Sequence, residues 1–116
     1  MGQMTVGVMY GAHRHKAERM GDLMEQWPDK RGQHLGWDDG GDVVGYFVGV
    51  GGESGRECGA ADIGDAVTLD AIPVSARYGA AYRRAVRNWE AFAEWCATQG
   101  VVLPAPQLWL VTTEVA

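Results

Sequence analysis

A continuous apolar stripe runs through the segment 76–99 and indicates a fold with at least two layers. Its members recur at intervals of four and three residues: Tyr78, Tyr82, Ala85, Trp89, Phe92 and Cys96. Because an α-helix turns once in 3.6 residues, this spacing predicts a helix from Ala76 to Gln99 with one buried face. Ser75 is placed to cap its first turn, and Gly100 to end it. Such a helix is stable only when a second layer covers the stripe.

Alternating apolar residues predict the strands of that second layer. The strongest strand runs from Asp42 to Gly51, and Met4–Tyr10 and Leu108–Thr113 follow the same pattern. One face of the strongest strand carries its bulky side chains: Val44, Tyr46, Val48 and Val50. The opposite face leaves room for a helix or a ring to approach, because two of its four residues are glycines: Val43, Gly45, Phe47 and Gly49.

A shorter helix follows the first strand. Its apolar residues share one helical face, and Pro28 is expected to end it: Ala17, Met20, Leu23, Met24 and Trp27. A weaker strand is predicted over Arg31–Trp37, with a chain reversal at Asp38–Gly41. The segment 51–74 shows no period and is predicted to be a long, acidic, glycine-rich loop.

The resulting order of elements is βαββαβ. It predicts one α+β domain over residues 1–116, a two-layer sandwich of the ferredoxin-like type. Right-handed connections would place both helices on one face of a three- or four-stranded, mainly antiparallel sheet.

Charge and composition exclude several classes of protein. The net charge is −5, and the stretch from Asp38 to Asp70 holds eight acidic residues and a single basic one, Arg56. Nucleic-acid binding needs a basic surface, so a general nucleic-acid binder is excluded. Prolines interrupt the longest uncharged run, 97–113, so no membrane-spanning helix is expected. The absence of a secretory pattern and the two widely spaced cysteines predict a cytoplasmic protein.

The first candidate site is a basic turn predicted between the first strand and the first helix. Backbone N–H groups and the helix dipole at such a junction attract anions. The side chains that would add to this attraction are His13, Arg14, His15 and Lys16. They form a candidate phosphate or nucleotide site. Two alternatives stay open: a metal site at the two histidines, for which no further ligands are identified, and a solvated turn that pairs with the acidic segment.

The second candidate site is the acidic segment. A negative surface can attract a basic partner protein, and the residues expected to contact it are Asp38, Asp39 and Asp42. The remaining carboxylates of the segment are Glu53, Glu57, Asp62, Asp65 and Asp70. Their spacing is not that of an EF-hand, and the alternatives are a divalent cation site or a solvated loop.

The third candidate site is one side of the long predicted helix, named here the Trp95 flank. At 100° per residue the members of this flank fall beside the apolar stripe: Arg77, Arg84, Asn88, Ala91 and Trp95. Tryptophan and arginine are enriched among residues that dominate protein interfaces, so Trp95, Arg84 and Arg77 are expected to contact a partner. The alternative is that the segment 101–106 covers Trp95 and that the arginines pair with the acidic loop.

Catalytic chemistry has little support in the sequence. Ser54 and Ser75 are the only serines, and neither lies in a nucleophile motif. Cys58 has no histidine at a recognisable spacing. The segment 49–55 follows a strand but lacks the lysine of a phosphate-binding loop. Neither catalytic residues nor a cofactor are predicted.

The C-terminal two thirds of the chain resembles small bacteriophage proteins of unknown function. The resemblance rests on Gly45–Gly51 with the acidic loop after it, on Trp89–Trp95 continuing into Gly100–Pro104, and on Leu108–Leu110. It implies an accessory protein of a phage or mobile element, and it implies no particular activity.

Size, charge and this resemblance together favour a non-enzymatic binding protein. The expected partner is a host protein, such as a defence or nucleic-acid enzyme, that the small acidic domain would inhibit. The alternative is a small-ligand domain that uses the basic turn at His13–Lys16. An apolar, exposed sheet face would also favour a homodimer.

Overall fold

A computed structural model describes residues 3–13, 19–28, 35–37, 43–52, 64–68 and 80–115. The strands within these ranges are β1 (Gln3–His13), β2 (Leu35–Trp37), β3 (Val43–Gly52), β4 (Ala66–Val67) and β5 (Gln107–Val115). The helices within the same ranges are α1 (Met20–Gln26) and α2 (Ala80–Thr98).

The strands form one sheet in the order β2-β3-β1-β5-β4, and every neighbouring pair is antiparallel. The predicted α+β class is confirmed. Neither of the described helices is long and apolar enough to cross a membrane.

The predicted strand count was wrong, because the sheet has five strands rather than three or four. The additional strand, β4, lies inside the segment predicted to be an irregular loop, and β3 extends to Gly52. Hydrogen bonds hold β4 beside β5: the Gly64 N–H donates to the Leu110 carbonyl at 2.7 Å, and the Leu110 N–H donates to Asp65 at 3.0 Å. A strand of two residues shows no alternation, so no sequence period could reveal it.

One face of the sheet carries the main hydrophobic core. Side chains at even positions of β1, β3 and β5 meet buried side chains from both helices. The fully or nearly fully buried members are Val8, Ala12, Met20, Leu23, Trp27, Val44, Tyr46, Val48, Ala85, Trp89, Phe92, Cys96, Leu108 and Leu110. From Tyr82 onward the predicted stripe therefore packs against the sheet as expected, while Tyr78 lies outside the described residues.

The ends of both helices follow their sequence signals. Gly100 has φ 83°, its N–H donates to Ala97 at 3.0 Å, and the Val101 N–H donates to Cys96 at 3.0 Å. This pair of bonds is a Schellman motif, which glycine favours because it lacks a Cβ. Helix α1 ends at Gln26, just before the predicted stop at Trp27 and Pro28. The predicted starts at Ala17 and Ser75–Ala76 lie outside the described residues.

The opposite face of the sheet carries a smaller cluster. Met9, Val43 and Val111 are buried there, and Trp109 packs against them. The indole N–H of Trp109 donates to the Gly11 carbonyl at 2.8 Å. Gly11 is paired with Gly45, one of the two glycines predicted to admit a ring. An aromatic ring does approach the backbone at this glycine pair.

Candidate functional site

The predicted basic turn is described at its first residues only. Strand β1 continues to His13, three residues beyond the predicted end at Tyr10, so Gly11–His13 belong to a strand rather than to a turn. His13 pairs with Val43 of β3, and its ring meets the Trp109 ring with centroids 5.5 Å apart. Arg14, His15 and Lys16 lie outside the described residues.

The predicted acidic surface is also mostly outside the described ranges. Asp38, Asp39 and Asp42 fall there, and Asp65 is the described member of the segment. Asp65 is exposed, and its backbone carbonyl binds β5. Among the described residues no group of three or more His, Cys, Asp or Glu could hold a metal ion.

Trp95 is half-buried at the junction of the two helices. Its ring centroid lies 5.3 Å from that of Trp27 and 6.3 Å from that of Phe92. Arg84 lies on the same flank and is exposed, about 16 Å further along the helix axis at 1.5 Å per residue. Arg77 lies outside the described residues. Trp95 thus has a packing role in the core as well as a partly exposed surface.

A groove, named here the α2 groove, lies on the other side of this helix. Helix α2 forms one wall, the segment 103–106 forms the opposite wall, and Tyr10 of β1 contributes from the sheet. The groove has a volume of about 380 Å³ and is lined by Tyr10, Trp89, Glu90, Ala93, Glu94, Leu103, Pro104, Ala105 and Pro106.

The local sequence explains how this groove forms. The Schellman motif at Gly100 turns the chain back along α2, and Val101 and Leu103 pack against the main core. Pro104 and Pro106 have fixed φ angles and no N–H group, so they favour an extended segment that joins no helix. This segment stands beside α2 until β5 begins at Gln107.

The rim of the α2 groove is negatively charged. Glu90 and Glu94 are exposed and four residues apart, so their like charges repel at a cost of about 0.2–0.5 kcal/mol. Neither carboxylate has an ion pair with another described residue, and no basic residue lies in the last turn of α2. Ion pairing with another described residue therefore does not account for these two glutamates.

Tyr10 lines the groove and interacts electrostatically with the Glu90 carboxylate on its rim. Its ring meets Tyr82 edge-on, with centroids 6.0 Å apart. Burial raises the pKa of Tyr10 above its ordinary value, and Tyr82 and the Glu90 carboxylate raise it further. Its hydroxyl therefore stays protonated, and it can donate a hydrogen bond at neutral pH.

No candidate site predicted from the sequence includes Glu90 or Glu94. One predicted alternative has the segment 101–106 covering Trp95, whereas the structure places residues 103–106 opposite these two glutamates. A helix-ending glycine followed by an extended proline segment returns the chain beside the helix, which gives those glutamates a facing wall.

A second, smaller pocket lies behind the same proline segment. The His13 pocket has a volume of about 220 Å³ and is lined by Ala12, His13, Pro104, Ala105, Gln107 and Trp109. Pro104 and Ala105 line both cavities, so the segment separates them. The imidazole of His13 and the amide of Gln107 give this pocket polar groups that can recognise a small ligand.

Cys96 is not arranged for nucleophilic chemistry. It is a free cysteine with no exposed surface, as expected of a small hydrophobic residue. Burial raises the pKa of its thiol to about 11, so the thiolate is scarce at neutral pH.

Comparison with known proteins assigns no activity to the α2 groove or to the His13 pocket. A functional assignment therefore depends on the residues that line these two cavities. No protein-family model matches this sequence, and no curated protein or solved structure matches it.

Proposed function

We propose that this chain is a non-enzymatic binding domain that acts on a protein partner through the α2 groove. In a phage or mobile-element setting the partner would be a cytoplasmic host protein, such as a defence or nucleic-acid enzyme. The net charge of −5 supports this proposal, because an acidic domain is attracted to the basic surface of such an enzyme.

The geometry of the groove is the observation that carries the proposal. Its floor is aromatic and aliphatic, its far wall is a proline segment, and two repelling carboxylates lie on its rim. Sites that recognise other molecules commonly combine an apolar surface with a few placed polar groups. Binding of a basic partner would also relieve the repulsion between Glu90 and Glu94.

The arrangement of strands supports a more specific fold proposal. Without the two-residue β4, the order is β2-β3-β1-β5, with β1 and β3 in the centre. Two interlocked split βαβ units require this arrangement, with both helices on one face. We therefore infer a ferredoxin-like unit to which β4 is an edge addition.

Two arginine substitutions on α2 can distinguish between the two candidate binding surfaces, the α2 groove and the Trp95 flank. Ala93→Arg places a long side chain in the α2 groove, while Ala91→Arg places the same side chain on the Trp95 flank. In capture from a lysate of a bacterial host, we expect wild type and Ala91→Arg to retain the same protein. Ala93→Arg should lose at least about 90% of it, a tenfold or larger loss of affinity.

Ala93 is partly buried, so a loss of capture also requires proof that the variant folds. Circular dichroism melting of each variant provides this proof. Glu94→Arg serves as a second groove variant, because it changes an exposed residue at the same rim. If both groove variants retain the protein while Ala91→Arg loses it, the Trp95 flank is the binding surface and the groove proposal is wrong.

A second candidate function is favoured by the His13 pocket. A cavity with an imidazole and an amide could hold the phosphate or nucleotide expected from the sequence. The basic residues that would complete this site are Arg14, His15 and Lys16, which lie outside the described residues.

Thermal melting tests this second candidate. A ligand that binds only the folded state at ten times its Kd should raise the Tm by about 6 °C. The ligands to use are inorganic phosphate and adenosine monophosphate, with His13→Gln as the variant that should lose the increase. An unchanged Tm with both ligands, or an equal increase in His13→Gln, would contradict a site at this pocket.

A further inference from the structure

We propose that the α2 groove receives an arginine side chain of the partner protein. This inference rests on the proposed function and names the group that the groove recognises. It follows from the charge on the rim, from the aromatic floor, and from the size of the cavity.

The charge on the rim specifies a cation. Glu90 and Glu94 project from successive turns of α2 at the same cavity, and neither has an ion pair with another described residue. Two carboxylates on neighbouring turns match the several N–H donors that a guanidinium presents in one plane. An ammonium group is a compact point charge and has no such planar donor array.

The rest of the groove favours a planar cation with an aliphatic stem. Tyr10 lines the groove and interacts electrostatically with the Glu90 carboxylate, and guanidinium groups bind to aromatic rings. Ala93, Leu103 and Pro104 offer apolar surface for the three methylenes of arginine. The long side chain would thus bury its stem and keep its charge at the rim.

The cavity size limits how much of the partner enters. Pockets for drug-sized ligands range from about 300 to 1,000 Å³, and this groove, at about 380 Å³, lies near the lower end. One long side chain fits such a volume better than a folded segment does. The remainder of the partner would contact the exposed surface of α2 around the groove.

A peptide titration tests the inference without knowledge of the natural partner. The probe is acetyl-Ala-Arg-Leu-amide, and its control replaces arginine with citrulline, which has the same shape and no charge. We follow the amide signals of the isotope-labelled protein by NMR during the titration. The arginine peptide should bind at least about tenfold more tightly than the citrulline peptide. Its affinity should also fall with added salt.

Matched variants assign the effect to the two glutamates. The double variant Glu90→Gln/Glu94→Gln should bind the arginine peptide at least about tenfold more weakly, close to the citrulline level. Asp22→Asn removes an exposed carboxylate from α1 and should change the affinity less than twofold. Equal binding of the citrulline peptide, or an unaffected double glutamine variant, would overturn the inference. Equal binding of acetyl-Ala-Lys-Leu-amide would overturn the choice of arginine.

The same variants distinguish this inference from the proposed function. If Ala93→Arg abolishes capture of the host protein and the double glutamine variant retains it, the groove binds a partner without an arginine contact. If neither variant affects capture, the proposed function itself fails.

Discussion

Replacing Phe92 with alanine should lower the free energy of unfolding by about 3–5 kcal/mol. Phe92 has no exposed surface, and it meets Trp27, Trp89 and Trp95 with ring centroids 5.5 to 6.3 Å apart. Its removal leaves a cavity between the two helices and removes three aromatic contacts at once. Domains of this size are stable by about 5–15 kcal/mol, so this variant should be close to unfolding.

Urea unfolding, followed by circular dichroism, measures this loss. Val102→Ala is a suitable control because Val102 is 88% exposed, and it should change stability by no more than about 0.5 kcal/mol. Phe92→Leu should fall between the two, since leucine fills part of the space. A loss below about 1 kcal/mol in Phe92→Ala would mean that the three tryptophans do not enclose this residue.

Replacing Gly11 with alanine should cost about 3 kcal/mol, at the upper end of typical overpacking penalties. Strands β1 and β3 approach closely where Gly11 faces Gly45. A Cβ at Gly11 would collide with the Val44 carbonyl oxygen, and it would lie 2.6 Å from the Gly45 Cα. Both neighbours are backbone atoms of a central strand, so relief requires the strands to separate. The Trp109 hydrogen bond to the Gly11 carbonyl would be disturbed as well.

Gly21 provides a control with the opposite sign. A Cβ at Gly21 meets nothing within 4 Å, and the residue lies inside α1. Gly21→Ala should therefore stabilise the protein by about 0.5–1 kcal/mol, because alanine loses less backbone entropy in a helix. Urea midpoints of the two variants should move in opposite directions. A Gly11→Ala variant as stable as wild type would contradict the close pairing of β1 and β3.

The parts of the fold that could be predicted are those in which one period persists. The stripe of α2 spans several turns, and its buried members from Ala85 to Cys96 all join the main core. The alternation in β3 separates Val44, Tyr46 and Val48 from Phe47. The structure buries the first three in the main core and leaves Phe47 42% exposed. In each case an entire face of the helix or strand is buried. The spacing of its apolar residues can therefore be recognised in the local sequence.

The parts that could not be predicted depend on contacts between distant segments. Strand β4 exists because β5 offers it hydrogen bonds, and two residues carry no period of their own. The extra length of β1 similarly comes from its pairing with β3 as far as His13 and Val43. Such pairing compensates for residues that alone resemble a turn, as Gly11 and Ala12 do.

The candidate site shows the same division. The helix could be predicted, and Glu90 and Glu94 are not members of its apolar stripe. Their placement opposite Pro104 and Pro106 could not, because it depends on the path of the chain after Gly100. For Trp95 the sequence indicated an aromatic residue beside the stripe, and its contact with Trp27 arises because the chain leaving α1 packs beside α2.

A map of the bound arginine peptide on the protein decides whether the α2 groove is the binding site. Backbone and side-chain NMR signals of the labelled protein, recorded with and without acetyl-Ala-Arg-Leu-amide, provide that map. We predict that the largest changes fall on Tyr10, on residues 89–94 and on residues 103–106, with additional contacts to the side chains of Glu90 and Glu94. If the largest signal changes fall on Arg84 and Trp95, or on His13 and Gln107, while the groove signals do not move, the α2 groove is not the binding site.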